Sequence, residues 1–307
     1  MSAGTGIRAC ARAATRRWGE SRARRRAGRV SLGVFAAVMA AAFLHAAWNA
    51  IVKIGVSKIG TMVVLSVASV PIGLAVVAGR PLPGPEVWPW LLASALIHLV
   101  YKLFLALAYE AGDLSRVYPI ARGAAPLMVL VASVAFLPDR LSLPEMAGVV
   151  LMGAGLVAMA RGVFTSGESR RLLPFALGSA GATAGYTLVD GLGARVSGDA
   201  IAYVGWIFVL DGAVFTLLVL AMRGRAAMPA GARAWGGGVL AAAASYGAYA
   251  ISVWAMTAAP IALVAALRET SILFAVGLGW LVFGERMRPD KALAAALIVG
   301  GVVLTRL

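Results

Sequence analysis

Two stretches of the chain decide the fold: PDRLSLPEMAGVVLMGAGLVAMAR (138–161) and GERMRPDKALAAALIVGGVVLTRL (284–307). They align without a gap at an offset of 146 residues, so that Asp139 stands opposite Glu285. Each begins with an acid–arginine pair and continues as an apolar segment that contains glycines. This alignment indicates that the chain consists of two related halves.

The composition around these stretches is that of a membrane protein. Of the 307 residues, 61% are apolar and 13% are charged, whereas a soluble domain has about 25% charged residues. Mean hydropathy is +0.87. A water-soluble fold could not bury so much apolar surface, because even compact domains expose a large area. We therefore expect an integral protein of the inner (plasma) membrane.

A bilayer core of about 30 Å requires about 20 apolar residues per helix. On this basis the sequence contains ten segments, and their continuous apolar character excludes a barrel, whose strands alternate. The predicted segments are 32–53, 60–79, 87–109, 114–136, 145–161, 172–193, 200–222, 235–257, 260–283 and 290–307. The predicted fold is therefore all-α, with repeats at 32–161 and 172–307.

Five segments per half is an odd number, so the second half must enter the membrane from the opposite side. Such inverted repeats are typical of secondary transporters, whose substrate site lies between the halves near the midplane. The offset of the opening alignment also relates two intramembrane arginines, since 122 + 146 = 268. We therefore expect Arg122 and Arg268 to occupy equivalent places on the two sides of this site.

Three stretches carry a resemblance to a known family. They are FLHAAWNAIVK (43–53), ALAYEAGDLSRVYPIARGAAPL (106–127) and PIALVAALRETSILFAVGLGWLVFGERMRPDKALAAALIVGGVVL (260–304). The chain resembles two EamA domains of the drug/metabolite transporter superfamily over about residues 32–307. The resemblance implies ten helices, both termini on one side, and transport of small metabolites without ATP. It supplies no universal site motif.

Candidate site residues follow from the cost of placing polar groups in lipid, about 2.5–3.5 kcal/mol for a charge. A guanidinium presents a planar fork to a carboxylate or phosphonate, which favours an anionic or zwitterionic substrate. The predicted substrate contacts are Arg122, Arg268, Tyr118, Trp48, Asn49, His98, Lys102 and Tyr249. The predicted proton-coupling residues are Glu269, Asp211 and His45, because burial favours the protonated form of a carboxyl group.

Each of these residues also has a purely structural interpretation. The arginines could be neutralised internally, Arg268 by Glu269 or Asp211 and Arg122 by an acid on a neighbouring helix. Glu269 is a poor partner for Arg268, because adjacent helical residues point about 100° apart. The other carboxylates could balance nearby cations, and for Asp190, near a predicted helix end, this interpretation is favoured.

The net charge of +15 reflects the N-terminal tail rather than a nucleic-acid surface. Residues 1–29 contain nine arginines and one acid, and we expect this tail to be disordered or to precede the true start of translation. Without the tail, the distribution of lysine and arginine among the loops places the N-terminus outside under the positive-inside rule. When the tail arginines are included, the count of lysine and arginine favours an N-terminus inside. Both termini are predicted on one side, and the sequence leaves open which side.

The sequence thus predicts a non-enzymatic secondary transporter that exports a small metabolite by alternating access. The expected partners are membrane lipid and a small-molecule substrate, with a homodimer left open; no metal, cofactor or nucleic acid is expected. The alternatives are a lipid-flipping or lipid-modifying protein and a non-transporting membrane subunit. A lipid flippase differs only in its substrate. A lipid-modifying enzyme would require clustered catalytic groups, and a non-transporting sensor or subunit would require a sizeable soluble domain or a long loop.

Overall fold

The computed structural model describes residues 30–54, 58–111, 114–159, 172–224, 228–229, 231–283 and 289–307. The arginine-rich tail predicted at residues 1–29 lies outside them. Within the described residues every regular element is a helix. The helices are α1 (Leu32–Ile54), α2 (Lys58–Val77), α3 (Trp88–Ala111), α4 (Leu114–Phe136), α5 (Leu143–Met159), α6 (Leu172–Ser197), α7 (Ala200–Arg223), α8 (Ala232–Ala258), α9 (Ile261–Arg268), α10 (Ser271–Phe283) and α11 (Pro289–Leu304).

Four of these segments are long and apolar enough to cross a bilayer on their own: Leu32–Val52, Ala200–Arg223, Ala232–Ala258 and Ile261–Leu281. Shorter apolar stretches lie in α2, α3, α4, α5 and α11. The chain is therefore built as a multi-pass membrane protein. The helix bounds agree with the predicted segments to within a few residues, except that the ninth segment is divided into α9 and α10.

The division of the ninth segment has a local cause in its hydrogen bonds. The backbone N–H groups of Glu269 and Thr270 donate to the carbonyls three residues earlier, at 3.0 and 3.1 Å. The Thr270 hydroxyl donates to the carbonyl of Leu267 at 2.7 Å. Threonine side chains commonly compete in this way with the α-helical pattern. A tighter, 3₁₀-like turn therefore interrupts the segment at residues 269–270.

The fifth helices of the two repeats, α5 and α11, cross each other antiparallel. A Cβ added at Gly148 would lie 2.6 Å from the carbonyl oxygen of Gly301, and one added at Gly155 would lie 2.9 Å from that of Ala294. Gly148 and Gly155 stand 146 residues before Ala294 and Gly301. Shifting each residue to its equivalent in the other repeat therefore turns one contact into the other, as a twofold axis between the repeats requires.

The second helices of the repeats, α2 and α7, show the same reciprocity. A Cβ at Gly73 would lie 2.5 Å from the carbonyl oxygen of Gly205, and one at Gly212 would lie 2.7 Å from that of Ser66. Ser66 and Gly73 stand 139 residues before Gly205 and Gly212. Equivalent helices that cross antiparallel at two places indicate repeats of opposite orientation.

The first and third helices of each repeat pack against the other repeat. In the most extensive of the other interfaces, α1 packs against α8 and α3 packs against α6, so that each repeat contributes its first and third helices to the other. At one end of the bundle, Arg306 donates to the carbonyl of Val30 at 2.5 Å and lies over the Phe35 ring. The start of α1 and the end of α11 therefore lie at the same end, called the terminal end below.

The terminal end is closed by polar contacts between the repeats. Arg195 at the end of α6 forms a bidentate pair with Asp139 in the α4–α5 connection, at 2.9 and 2.8 Å. Its guanidinium also donates to the carbonyls of Met256 and Ala259, where α8 ends. Asp139 in turn accepts from the backbone N–H of Ile261, the first residue of α9, at 3.1 Å.

The largest hydrophobic cluster also occupies this end of the bundle. It joins Val34 and Val38 of α1 to residues 261–267 of α9, and every residue of α9 is buried. In α10, by contrast, most described residues are partly or fully exposed. The two halves of the ninth segment therefore differ sharply in packing, and the 3₁₀-like turn lies between them.

Candidate functional site

The two arginines related by the repeat do converge, and a single carboxylate lies between them. Arg122 on α4 places its Nε atom 2.8 Å from Oε2 of Glu269, and these side chains are 14% and 4% exposed. Arg122 also donates to the Ser271 hydroxyl at 3.2 Å. The acid on a neighbouring helix that the sequence left unspecified for Arg122 is thus Glu269. We call Arg122, Arg268, Glu269 and Ser271 the guanidinium cluster.

Arg268 holds Glu269 more loosely. Its Nε atom is 4.0 Å from Oε1 of Glu269, at the outer limit of an ion pair, in keeping with their adjacent positions. The Arg268 side chain is only 6% exposed. Its Nε atom has no hydrogen-bond partner in the part of the chain that the structure describes. Such a buried donor is costly unless something satisfies it.

The guanidinium cluster sits where the ninth segment is interrupted. Arg268 is the last residue of α9, Glu269 lies in the 3₁₀-like turn and Ser271 opens α10. A break in a helix at membrane depth is tolerated where it is enclosed by protein or lines a cavity. Discontinuous helices of this kind form the substrate sites of several transporter folds.

The predicted residues of α1 lie beside this cluster. His45 is close enough to Arg122 and Arg268 to interact with both charges. Its Nδ1 atom accepts a hydrogen bond from the Trp48 indole at 3.4 Å, and the two rings meet edge to face. Asn49 donates to the backbone carbonyl of His45 at 2.7 Å. The structure therefore brings His45 to the arginines, while Trp48 and Asn49 support it.

Two further predicted residues pair with each other. Lys102 on α3 donates to both carboxylate oxygens of Asp211 on α7, each at 2.8 Å. The Lys102 ammonium also lies 4.4 Å from the centre of the Phe215 ring. Lys102, predicted to contact substrate, and Asp211, predicted to couple to protons, thus neutralise one another. Neither is placed in the guanidinium cluster.

A second polar cluster surrounds Asp190, which sequence reasoning had assigned a structural role. Asp190 is fully buried, and its carboxylate accepts hydrogen bonds from the hydroxyls of Tyr203, at 3.3 Å, and Tyr249. Ser94 and His98 on α3 are also close enough to interact with it. We call Asp190, Tyr203, Tyr249, Ser94 and His98 the aspartate cluster.

Aromatic rings enclose the aspartate cluster on one side. The His98 ring stacks on Tyr186 with centroids 4.1 Å apart and meets Tyr249 edge to face at 5.9 Å. Tyr249 is in turn close enough to Arg268 for an electrostatic interaction. The predicted substrate contacts His98 and Tyr249 therefore belong to the aspartate cluster, which adjoins the guanidinium cluster through Tyr249.

The last predicted contact, Tyr118, has a side chain that lies outside the described residues. Among those that are described, no group of three His, Cys, Asp or Glu side chains is arranged to hold a metal ion. The arrangement thus places guanidinium groups, which can bind an anion, close to aromatic rings, whose faces can attract a cation.

Comparison with known families decides what kind of protein carries these clusters. The profile of the EamA-like transporter family matches residues 31–161 and again residues 171–307. The chain belongs to the EamA-like transporter family. The resemblance seen in the sequence is thereby confirmed, together with the two-repeat architecture and the multi-pass membrane character that this family implies.

The fold of this EamA protein also occurs among solved structures. One crystal structure of a protein is similar over 89% of this chain and 96% of its own, with a TM-score of 0.69 and 20% sequence identity. At this identity the likeness concerns the fold alone. No curated protein matches the chain.

Proposed function

We propose that the protein is a secondary active transporter of the inner membrane that exports a small anionic or zwitterionic metabolite by alternating access. One observation carries this proposal. Two guanidinium groups, from equivalent positions of two oppositely oriented repeats, approach a single carboxylate, and their side chains are only 14% and 6% exposed. Membership of a transporter family supports the transport step, and the two guanidinium groups support the substrate class.

Arg268 provides the unsatisfied donor of the guanidinium cluster. Its Nε–H has no acceptor in the part of the chain that the structure describes, and its Nε atom lies 4.0 Å from Oε1 of Glu269. The anionic group of a substrate would accept a hydrogen bond from this buried donor, which is costly to leave unsatisfied. A carboxylate or phosphonate fits the planar fork of a guanidinium better than a neutral group does.

A zwitterionic substrate would find a second complement nearby. Tyr249 connects the guanidinium cluster to the rings of His98 and Tyr186. The faces of aromatic rings attract ammonium groups by about 0.5–2 kcal/mol, depending on how far the site excludes water. A molecule whose anionic group contacts Arg268 could therefore place a cationic group against these rings.

The break in the ninth segment supports alternating access. The buried α9 is held at the terminal end by the hydrogen bond that the backbone N–H of Ile261 donates to the Asp139 carboxylate. The more exposed α10 begins at Ser271, on the far side of the 3₁₀-like turn. A hinge at residues 269–270 would let α9 and α10 move separately, with the guanidinium cluster at the point of bending.

Proton coupling is part of the proposal, and each predicted carrier lies near a charged partner. Glu269 and Asp211 are each 2.8 Å from a cation, on Arg122 and Lys102. His45 is close enough to Arg122 and Arg268 to interact with both charges. These contacts give Glu269, Asp211 and His45 a role in charge balance beside their predicted role in coupling.

The test is transport by the purified protein in proteoliposomes, with radiolabelled glutamate, leucine and methylphosphonate as separate probes. We expect Arg122→Ala and Arg268→Ala to lower uptake of the transported probe at least about tenfold, the effect of losing about 1.4 kcal/mol of binding. Arg268→Lys keeps the charge but not the fork and should give an intermediate rate.

The matched control is Arg80→Ala, which removes an exposed arginine paired with Asp199 at the terminal end. This variant should transport at the wild-type rate. Wild-type uptake and apparent affinity in both Arg122→Ala and Arg268→Ala would contradict the proposed substrate site.

A further inference from the structure

Asp190 differs from Glu269 and Asp211 in the groups that surround its carboxylate. Glu269 contacts Arg122 and Asp211 contacts Lys102, each at 2.8 Å. Asp190 is fully buried, and in the described part of the chain its hydrogen-bond donors are hydroxyl groups, with no arginine or lysine at ion-pair distance. Its negative charge is therefore surrounded by hydroxyl groups and the His98 ring rather than paired with an arginine or lysine.

A buried carboxylate without an arginine or lysine partner is unfavourable in lipid, and binding a proton removes the cost with the smallest structural change. The ionised form is in turn stabilised by the hydrogen bonds that it accepts from two tyrosine hydroxyls. We propose that Asp190 is the carboxylate that binds and releases the proton coupled to transport. This inference rests on the proposed transport function and assigns the proton to a residue outside the predicted set.

The surroundings of Asp190 contain groups that respond to its charge. It lies on α6, against which α3, α4, α7, α8 and α9 pack. The titratable and charged side chains of the two clusters on those helices are His98 on α3, Arg122 on α4, Tyr203 on α7, Tyr249 on α8 and Arg268 on α9. Of these, His98, Tyr203 and Tyr249 interact with Asp190 directly.

Tyr249 provides the connection between the proton and the substrate. Its hydroxyl donates to ionised Asp190, and Tyr249 also interacts with Arg268 of the guanidinium cluster. When Asp190 takes up a proton, its carboxyl group becomes a donor and releases the Tyr249 hydroxyl to turn to another acceptor. An anionic substrate group at Arg268 is such an acceptor. One proton bound at Asp190 thereby changes the hydrogen bonds available at the substrate site.

Infrared difference spectroscopy tests the assignment without any substrate. The full chain in detergent micelles is titrated between acidic and alkaline pH while the carbonyl stretch of protonated carboxylic acids is recorded. We expect a titrating band that is lost in Asp190→Asn and kept in Asp211→Asn and Glu269→Gln. A band that persists in Asp190→Asn, or that disappears instead in either of the other variants, would overturn the proposal.

A second pair of variants keeps the test decisive if Asp190→Asn folds poorly. Tyr249→Phe removes one donor to the carboxylate and should move the midpoint of the band. Tyr246→Phe removes a hydroxyl that donates to the backbone of Ile201 at 3.0 Å, and should leave the midpoint unchanged. Equal midpoints in both variants would count against Asp190 as the origin of the band.

Transport then separates this inference from the function on which it rests. With the probe that the wild-type protein moves, Asp190→Asn should retain exchange of substrate for substrate within about twofold. It should lose at least about tenfold in accumulation driven by a pH gradient, the effect of removing about 1.4 kcal/mol of coupling. Accumulation equal to wild type would contradict the role of Asp190. Wild-type protein that moves none of the probes would contradict the transport proposal, while the infrared result would still decide where the proton binds.

Discussion

The fourth predicted segments of the two repeats, α4 in the first and α9 with α10 in the second, occupy equivalent positions but differ in structure. In the first repeat the sequence is Arg122-Gly123-Ala124-Ala125 on the continuous helix α4; in the second it is Arg268-Glu269-Thr270-Ser271, where α9 ends and α10 begins. The first carries an arginine beside small residues, and the second carries an arginine beside an acid and two hydroxyls. The shared arginine preserves the symmetry, and the residues after it create the asymmetry.

Packing explains why the first repeat has no acid here. A Cβ at Gly123 would lie 3.1 Å from the Cβ of Leu156 and 3.2 Å from the backbone nitrogen of Val157 on α5. These distances leave little room for a larger side chain, because the nearest atoms are close to or part of the backbone. The position therefore serves close helix packing in one repeat and charge balance in the other.

Removal of the Glu269 carboxylate tests this difference between the repeats and is expected to have the largest effect on stability. Glu269→Ala leaves Arg122 and Arg268 buried without their shared counter-ion, and we expect it to lower the free energy of unfolding by about 3–5 kcal/mol. Denaturant unfolding in detergent micelles measures this change. Glu86→Ala, at an exposed position before α3, is the control and should stay within about 0.5 kcal/mol of wild type. Equal stability of the two variants would show that the arginines do not depend on Glu269.

A somewhat smaller effect on stability is expected at the contact by which Asp139 of the first repeat holds the start of α9 in the second. Arg195→Ala removes the bidentate contact to Asp139 and two hydrogen bonds to carbonyls at the end of α8. Since Arg195 and Asp139 are 17% and 10% exposed, we expect a loss of about 3 kcal/mol, at the lower end for a buried pair. Amide hydrogen exchange should rise at Ile261 and its neighbours in α9 and stay unchanged in α10. Equal increases in both helices would show that Asp139 and Arg195 do not hold α9 in particular.

Glycine substitutions sharpen the comparison at lower cost. Gly123→Ala forces α4 and α5 apart by a few tenths of an ångström and should lower stability by about 1–3 kcal/mol. Gly277→Ala, in α10, has no atom within 4 Å of the added Cβ and should raise helix stability by up to about 1 kcal/mol. Thermal unfolding of the two variants gives the sign of each effect. If Gly123→Ala left stability unchanged, close packing would not explain why position 123 has no acidic residue.

The smallest expected effect concerns Asp199, the N-cap of α7, whose carboxylate accepts from the backbone of Ile201 and Ala202. Partial burial opposes its ionisation, but the Ala202 N–H and the Arg80 guanidinium more than offset this and lower the pKa of Asp199. Asp199→Ala should lower stability by about 1 kcal/mol at neutral pH. Because the pKa is lower in the folded protein, this contribution is complete above the ordinary carboxyl pKa of about 4 and is lost as pH falls through the lowered value.

Unfolding of wild type and Asp199→Ala between pH 7 and pH 3 checks this prediction. The difference in free energy between the two proteins should shrink towards acidic pH. Asp199→Asn, which can still cap the helix, should fall between them at neutral pH. A difference that stays constant over the whole range would show that ionisation of Asp199 contributes nothing.

Most of the fold could be predicted from the sequence because lipid imposes one strong rule, a helix of sufficient apolar length. The segment bounds and the equivalence of Arg122 and Arg268 followed from that rule and from the offset. The break at Glu269 and Thr270 could not be predicted in this way. It depends on which local carbonyls the threonine hydroxyl and two backbone N–H groups reach, and a hydropathy profile contains no such information.

The partners of the candidate site residues were harder to predict than the helices. Asp190 was given a structural role because its segment was predicted to end at residue 193. The helix in fact continues to Ser197, since Arg195 is neutralised by Asp139 and bonded to the carbonyls at the end of α8. Asp190 therefore lies about two turns inside the helix. The pairing of Lys102 with Asp211 was likewise hidden, because it joins helices from different repeats.

The Glu269–Gly123 difference limits how this protein could have been assembled from its halves. At this position two copies of the first repeat would place two arginines with no acid, and two copies of the second would place two arginines with two acids. Two arginines with one acid arise only when one half of each kind is present. A homodimeric ancestor with one repeat per chain could not have had this arrangement, so the two halves had to diverge in sequence before it arose.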